Sequence, residues 1–129
     1  MIDPIFQSDG TYQLARKLLD AAALRQQAIA SKMANIETPG YRRVDVSSDF
    51  ASQLKASCEA GGFSDSAAAL EPTLTEDPDA RATRPDGNNV EMEHELLAMN
   101  KNSVEYEYLT DVISTNIKQL KVAITGQVA

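Results

Sequence analysis

Apolar residues recur at alternating steps of three and four along the N-terminal part of the chain. This spacing is typical of an amphipathic helix that packs against another helix. It predicts a first helix over residues 8–36, about 40 Å long, with Ser8 or Asp9 as its N-cap. Gln26 is the polar position of this seam, and a residue of that type can fix the register of paired helices at a cost in stability. The seam consists of Tyr12, Ala15, Leu19, Ala22, Gln26, Ile29, Met33 and Ile36.

A second, more regular seam predicts another long helix over residues 90–125. Asn88 or Asn89 is its expected N-cap, acidic residues in its first turns suit the helix dipole, and Gly126 is expected to end it. A further apolar stripe partly flanks the seam and leaves apolar surface for a neighbouring chain. The seam consists of Met92, Leu96, Met99, Ser103, Tyr106, Thr110, Ile113, Ile117, Leu120 and Ile124, and the stripe of Leu97, Val104, Tyr108 and Val112.

Two terminal helices of similar length predict a mainly α fold in which they pack as a coiled-coil-like pair. This arrangement requires the middle of the chain to fold back, and an amphipathic helix in an ordinary bundle is the simpler alternative. The residues expected to meet across the pair are Tyr12, Leu19, Ile29 and Met33 on the first helix and Ile113, Ile117 and Leu120 on the second.

The pattern changes after residue 36, where the first helix is expected to stop. Thr38 precedes a proline and is thereby disfavoured in the α region, and Pro39-Gly40 is the pair that a type II turn requires. The adjacent Arg42 and Arg43 are expected to lie in a solvated loop.

An extended arm, a short helix and a linker are predicted between this turn and the second long helix. Apolar and polar residues alternate over residues 44–50, and Ser48-Asp49 then resembles the cap of a short helix that continues to Lys55. Residues 56–89 lack periodicity and predict a mobile or partner-ordered linker, with a hairpin element around residues 71–74 as an option. The whole chain, 1–129, is interpreted as one domain.

Composition and charge narrow the classes of partner. The chain has no Trp, three Phe and four Tyr, so its own core is thin and partner chains are expected to complete it. The net charge is −7, and the acidic excess falls within residues 51–129. Nucleic acid is not expected as a partner, because the sequence offers no basic face. The acidic run at residues 76–79 is expected to be solvated.

The sequence shows no constellation typical of a catalytic, cofactor or metal site. His94-Glu95 begins like a zinc-protease motif, but Ala98 stands where the second histidine is needed. Cys58 is the one cysteine and has no cationic neighbour to activate its thiol. We therefore expect no enzyme activity, no cofactor, no bound metal and no small-molecule substrate.

Two segments of the chain resemble flagellar axial proteins, the rod, hook and hook-associated subunits of bacteria. The first resembles the family motif S-N-x-A-N-x-x-T-P-G-Y, with Lys32 in place of the first asparagine. The second, D-G-N-N-V-E with the following acidic helix, is similar to the C-terminal segment of the smallest rod subunits, those of the proximal rod. The matching residues are Ser31, Ala34, Asn35, Thr38, Pro39, Gly40 and Tyr41 in the first segment, and Gly87, Asn88, Val90, Glu91, Glu95, Asn102 and Tyr106 in the second.

The resemblance implies a structural subunit of the flagellar basal-body rod, a helical tube that spans the periplasm and carries torque from the membrane ring to the distal rod and hook. The implied partners are proximal and distal rod subunits, the adaptor protein between membrane ring and rod, copies of the chain itself, and the flagellar type III export apparatus. The resemblance also implies export without a cleaved signal peptide. The N-terminus lacks a basic region followed by an apolar run, which fits such a route and fits a cytosolic protein equally well. A small acidic cytosolic adaptor or chaperone of a secretion system is the alternative, because it would share the size, charge and helices.

Overall fold

The described part of the protein, which in this computed structural model comprises residues 4–60, 63–77 and 84–126, is mainly helical. The long helices at its two ends and the linker between them confirm the predicted mainly α fold. In these ranges, no helix is both long and apolar enough to cross a membrane. The elements are α1 (Pro4–Ala34), β1 (Val44–Val46), α2 (Ser48–Glu59), α3 (Asp65–Ala68), β2 (Leu74–Glu76) and α4 (Met92–Thr125).

The first helix begins and ends earlier than the sequence pattern predicts. Pro4 occupies its first position, where the missing N–H of proline is no loss because first-turn N–H groups have no acceptor within the helix. Ser8 and Asp9 therefore lie inside α1, and the prediction that one of them is its N-cap is wrong. The helix ends at Ala34 and not at Ile36.

α1 and α4 run antiparallel and share a seam of small side chains. Lys32 near the end of α1 contacts Glu95 near the start of α4, and Ala15, earlier in α1, packs against Leu109, later in α4. Ala15 and Ala22 are buried in this seam, and side chains this small let the two backbones approach closely. Leu19 and Ile113 both pack against the same cluster, as expected.

The predicted contacts of Ile29 and Met33 with the C-terminal part of α4 are wrong in register, whereas the predicted role of Tyr12 stays a prediction. Because Lys32 lies beside Glu95, the neighbouring Ile29 and Met33 are close to the start of α4. They are thus several turns away from Ile117 and Leu120, which are about half exposed. The predicted seam of α4 is also wrong over much of its length, because Glu95, Asn102 and Leu109 are the buried positions. The seam positions that are exposed instead include Met92, Leu96, Ser103, Tyr106 and Thr110.

The middle of the chain packs against a different face of α1. Phe50 and Leu54 of α2 and Ala67 of α3 form a buried cluster with Ala21 of α1. Leu14, Leu18, Phe63 and Leu70 pack around this cluster. The linker predicted over residues 56–89 thus contains the last turn of α2, all of α3 and β2, and its first half is held by apolar contacts with α1.

The short strands pair antiparallel across this linker. Val44 is opposite Glu76 and Val46 is opposite Leu74, so the extended arm is confirmed as a strand and the optional hairpin element lies slightly later than residues 71–74. Ser47 is the N-cap of α2, since its hydroxyl accepts a hydrogen bond from Asp49 N at 3.3 Å. The predicted cap at Ser48-Asp49 is therefore wrong, and the helix continues beyond the predicted end at Lys55 to Glu59.

The two ends of α4 differ in how they are capped. Gly126 follows the helix with φ of 67°, and its N–H donates to Val122 O at 2.7 Å, so the predicted C-terminal stop is confirmed. Glu91 occupies the N-cap position without a side-chain hydrogen bond. The predicted capping of α4 by Asn88 or Asn89 is wrong, because both side chains bind the turn that follows α1.

Candidate assembly interface

A network of hydrogen bonds holds the turn that follows α1. Tyr41 N donates to Thr38 O at 3.3 Å and Gly40 has φ of 75°, as a type II turn requires. Asn35 Nδ2 donates back to Ser31 O at 2.8 Å, and Thr38 Oγ1 donates to Asn35 Oδ1 at 3.0 Å. The hydroxyls of Ser31 and Tyr41 share a further hydrogen bond of 2.9 Å. The polar residues of the first family segment therefore act together at one structural position.

The second family segment completes this turn from the other half of the chain. Asn88 is fully buried, and its Nδ2 donates to Asn35 O at 2.8 Å, Ile36 O at 3.2 Å and Thr38 O at 2.9 Å. These carbonyls lie beyond the last turn of α1 and have no further helix to bond them. Asn88 Oδ1 meanwhile accepts a hydrogen bond from Val90 N at 2.8 Å. One amide side chain thus contacts four backbone groups, with its two N–H donors shared among three carbonyls.

Two glycines allow the segments to come this close. Gly40 N donates to Asp86 O at 2.7 Å, and Gly87 has φ of 85°. A Cβ at Gly87 would lie 3.1 Å from Gly40 Cα, tighter than an ordinary contact. The requirement for glycine at position 87 is therefore both conformational and steric.

Five charged side chains meet beneath this turn. Glu95 is fully buried between Lys32, whose Nζ is 2.9 Å from Glu95 Oε2, and Arg43, whose Nε donates to Glu95 Oε1 at 2.7 Å. Arg43 Nη1 also donates to Asp77, and Asp45 Oδ2 lies 3.7 Å from Lys32 Nζ. The Lys32–Glu95 contact is an ion pair outside hydrogen-bond geometry. We call these five residues the ion cluster.

Three interpretations made from the sequence alone are wrong in the ion cluster and beside it. Arg43 is buried and does not lie in a solvated loop, although the neighbouring Arg42 is half exposed. The run of residues 76–79 was expected to be solvated, and Asp77 is instead largely buried against Arg43. Glu76 is exposed as expected, and residues 78–79 lie outside the described part of the chain. Glu95 acts as a buried partner of two cations and not as a surface charge that favours the helix dipole.

The departure from the family motif lies within this cluster. Lys32 replaces the first asparagine of the motif, and its side chain is fully buried although its length would allow it to reach solvent from many helix positions. Burial of an ammonium group destabilises the folded state unless a carboxylate lies close to it, and Glu95 provides that carboxylate. The substitution is thus matched by a charge on α4.

Apolar side chains of α4 are exposed on two sides of the helix. Leu97, Val104 and Tyr108 lie on the face turned away from α1, with Val104 and Tyr108 exposed by 69% and 67%. Ile117, Leu120 and Ile124 are exposed along its C-terminal part, Ile124 by 77%. An amphipathic helix that is buried on one face by its own chain does not need such residues. We call these two groups the outer stripe and the C-terminal stripe.

The residues predicted for helix and subunit packing are distributed between the interior and the surface. Ile29 is buried, and partly buried positions are Tyr12, Leu19, Met33, Ile36, Met99 and Ile113. The exposed ones are Leu96, Tyr106, Ile117, Leu120 and Ile124. This exposed group is available to a neighbouring chain, so its role in subunit packing stays a prediction.

Sequence reasoning missed the polar residues that join the two halves of the chain. Asn102 Nδ2 donates to Ala22 O at 3.0 Å and to Gln26 Oε1 at 3.1 Å, and it was noted only as part of the resemblance. The sequence did contain a signal for this contact: Glu95, Asn102 and the apolar Leu109 follow one another at intervals of seven residues, as positions on one face of a paired helix do. Polar residues at a core position of a heptad indicate buried partners.

Known proteins match this chain over most of its length, although no family model matches it. The flagellar basal body rod protein FlgB of Escherichia coli (strain K12) is 32% identical over an alignment of 125 positions that covers 85% of this chain and 89% of that protein. The chain belongs to the FlgB family of flagellar basal body rod proteins. FlgB of Salmonella typhimurium is 28% identical, with 92% of this chain and 95% of the relative covered. FlgB of Bacillus subtilis (strain 168) is 26% identical, with 91% and 95% covered.

Membership of the FlgB family agrees with the two segments that resemble rod subunits. The alignments cover 85–92% of this chain and 89–95% of the three relatives. This membership identifies the chain as a structural protein of the flagellar basal-body rod. The turn after α1, the Asn88 contacts and the exposed α4 stripes are therefore features of a rod protein.

Proposed function

We propose that the chain assembles with copies of itself and with other proximal and distal rod subunits into a helical tube that transmits torque from the membrane ring to the distal rod and hook. In this proposal the tube spans the periplasm and begins at an adaptor protein between membrane ring and rod. The chain reaches it through the flagellar type III export apparatus without signal cleavage. Its role is structural and involves no catalysis.

The exposed apolar surface of α4 is the observation that carries this proposal. The outer stripe and the C-terminal stripe lie on different faces, so a single subunit can contact neighbours in two directions. Contacts between unlike surfaces that do not close on themselves generate open helical arrays. A helix pair whose α4 exposes apolar side chains to solvent is suited to such an array, because each added neighbour buries more apolar surface area.

The interior of the subunit supports passage through an export channel. The contacts at the junction of the two halves are hydrogen bonds and ion pairs, and these contribute little net stability against water because the separated groups are well solvated. The junction therefore opens at low cost, and the stability of the monomer rests on its two small apolar clusters. Burial of the stripes by neighbours would then add the stability that the free subunit lacks.

Purified hook–basal bodies provide the direct test of this function. We expect mass spectrometry to find peptides of this chain in a constant ratio to peptides of other rod subunits. A secretion chaperone or adaptor would be absent from these particles although its deletion blocks export. It would also form a stable dimer in dilute solution, whereas the free rod subunit is expected to be monomeric.

Ile117→Glu is expected to prevent incorporation into the rod while leaving the free subunit folded. Ile117 is 51% exposed, so a carboxylate there remains hydrated in the monomer but would be buried against a neighbour. Rods can be counted in basal-body preparations, and thermal unfolding reports the monomer. Gln119→Glu adds the same charge at an exposed position outside both stripes and should assemble normally. If the Ile117→Glu variant formed normal rods, the C-terminal stripe could not be part of a subunit interface.

Gly40→Val is expected to hinder rod assembly more than secretion. A valine at φ of 75° is strained by about 1–2 kcal/mol, although nothing lies within 4 Å of its Cβ. The strain distorts the turn that connects α1 to the β1–β2 arm, but an unfolded chain in transit does not experience it. Secreted protein and assembled rods are measured separately. Gly126→Val places similar strain at the end of α4, and equal defects in both variants would show that the turn has no special role.

A further inference from the structure

The seam between α1 and α4 repeats every seven residues on both helices. The buried positions Ala15, Ala22 and Ile29 are spaced by seven on α1. Glu95, Asn102 and Leu109 are spaced by seven on α4. If α4 slipped along α1 by one heptad, seam positions would again face seam positions. The repeat by itself therefore does not favour one register over the next.

Polar contacts occur at two levels of this repeating seam. At the first level, the Lys32 ammonium is 2.9 Å from the Glu95 carboxylate, and both side chains are fully buried. At the second, Asn102 Nδ2 donates to Ala22 O at 3.0 Å and to Gln26 Oε1 at 3.1 Å. Each group finds its partner only when the helices are aligned as observed.

A slip of one heptad would separate these partners in either direction. It displaces the helices by about 10 Å, so Lys32 would lose the Glu95 carboxylate. In one direction Asn102 would lie at the level of Leu18 and Leu19, among apolar side chains that offer its amide no partner. A buried charge or amide without a partner is strongly disfavoured.

We infer that the Lys32–Glu95 pair and Asn102 form a register lock, which selects one alignment of α1 and α4 from several that the apolar seam would accept. The lock acts by penalising the shifted alignments and contributes little to the stability of the correct one. Well-packed apolar residues can replace a buried ion pair without loss of stability, and a single polar core residue can fix helix register.

The lock also sets the position of the β1–β2 arm. Arg43, which precedes β1, donates to Glu95 Oε1, and Arg43 also pairs with Asp77, which follows β2. The arm is therefore attached to a point on α4 and not only to the end of α1. A register error between the helices would move this attachment point by about 10 Å.

The test measures helix register directly in the full chain. Spin labels are attached through Asp20→Cys on α1 and Lys121→Cys on α4, both exposed, in a Cys58→Ser background. The labels lie at different levels along the pair, so a slip changes their separation by up to about 10 Å. Pulsed electron-spin resonance should give one distance in the otherwise unchanged chain.

The double variant Lys32→Met with Glu95→Met removes the ion pair and leaves Arg43 with Asp77 and Asp45. We expect it to keep its helical circular dichroism and its thermal midpoint while a second distance population appears. A single unchanged distance would overturn the inference, since the apolar seam would then specify register. Loss of the helical signal would also overturn it, because the pair would be needed for stability and not for alignment.

A matched control uses the more exposed ion pair between the same helices. Arg25 Nη1 lies 3.2 Å from Glu105 Oε2, and both side chains are partly open to solvent. Glu105→Met removes this ion pair but leaves the hydrogen bond from Arg25 Nη1 to Asn102 Oδ1 at 3.3 Å. It should keep one distance, because the ion pair is partly hydrated in any register. A second population of equal size in this control would contradict the lock, since any lost polar contact would then have the same effect.

Discussion

Glu95→Ala is expected to lower the free energy of unfolding by about 3–5 kcal/mol. The carboxylate accepts a hydrogen bond from Arg43 and pairs with Lys32, and its removal leaves the fully buried ammonium with only the more distant Asp45. The loss reflects an uncompensated buried charge and not the net contribution of the pair. Denaturant titration followed by circular dichroism measures it.

Glu93, two residues before Glu95 on α4, provides the control for this experiment. Glu93 is exposed in the first turn of the helix. Glu93→Ala should change the free energy of unfolding by no more than about 0.5 kcal/mol. Similar losses for Glu93 and Glu95 would mean that helix-dipole effects, and not the ion cluster, explain the result.

Asn88→Ala is expected to destabilise the subunit by about 3 kcal/mol. The substitution removes the amide that binds Asn35 O, Ile36 O and Thr38 O and the acceptor that binds Val90 N. Asn35 O and Thr38 O keep hydrogen bonds from Thr38 N and Tyr41 N, so the loss falls on the buried Val90 N and on the bonds that join the two halves of the chain. Thermal and denaturant unfolding both report the change.

Two further variants separate the amide donor from the side-chain volume at this position. Asn88→Asp keeps the shape and the acceptor for Val90 N but directs a carboxylate at three carbonyls, so it should destabilise at least as much as alanine. Asn100→Ala, at an exposed position on α4, should have almost no effect. A mild effect of Asn88→Asp would show that the amide donor contributes little.

The elements that could be predicted from the sequence are those that depend on local patterns. Heptad spacing indicated both long helices, Pro39-Gly40 indicated the turn, and Gly126 indicated the end of α4. Each of these rests on conformational preferences of a few neighbouring residues. The end of α1 and the cap of α2 were misplaced by only one or two positions, which is the usual uncertainty at the ends of helices.

The contacts that could not be predicted join residues far apart in the chain. Arg43 and Glu95 are separated by 52 positions and Arg25 and Asn102 by 77, so no local pattern contains both partners. Charged residues are usually exposed, and Arg43 beside Arg42 gave no sign of burial. Asn88 and Asn89 were assigned to the nearer helix end, whereas the unsatisfied groups that bind them belong to the turn after α1.

The carbonyl groups at the end of α1 are bound by a residue that is synthesised much later than the helix. Asn88 binds Asn35 O across 53 positions, and Lys32 meets Glu95 only after a still longer stretch of chain has appeared. Contacts with such high contact order form slowly, because the intervening loop must close first. A chain that emerges N-terminus first, from a ribosome or from a narrow pore, thus presents α1 long before that helix has a finished end. The order of emergence itself delays folding until nearly the whole subunit is free.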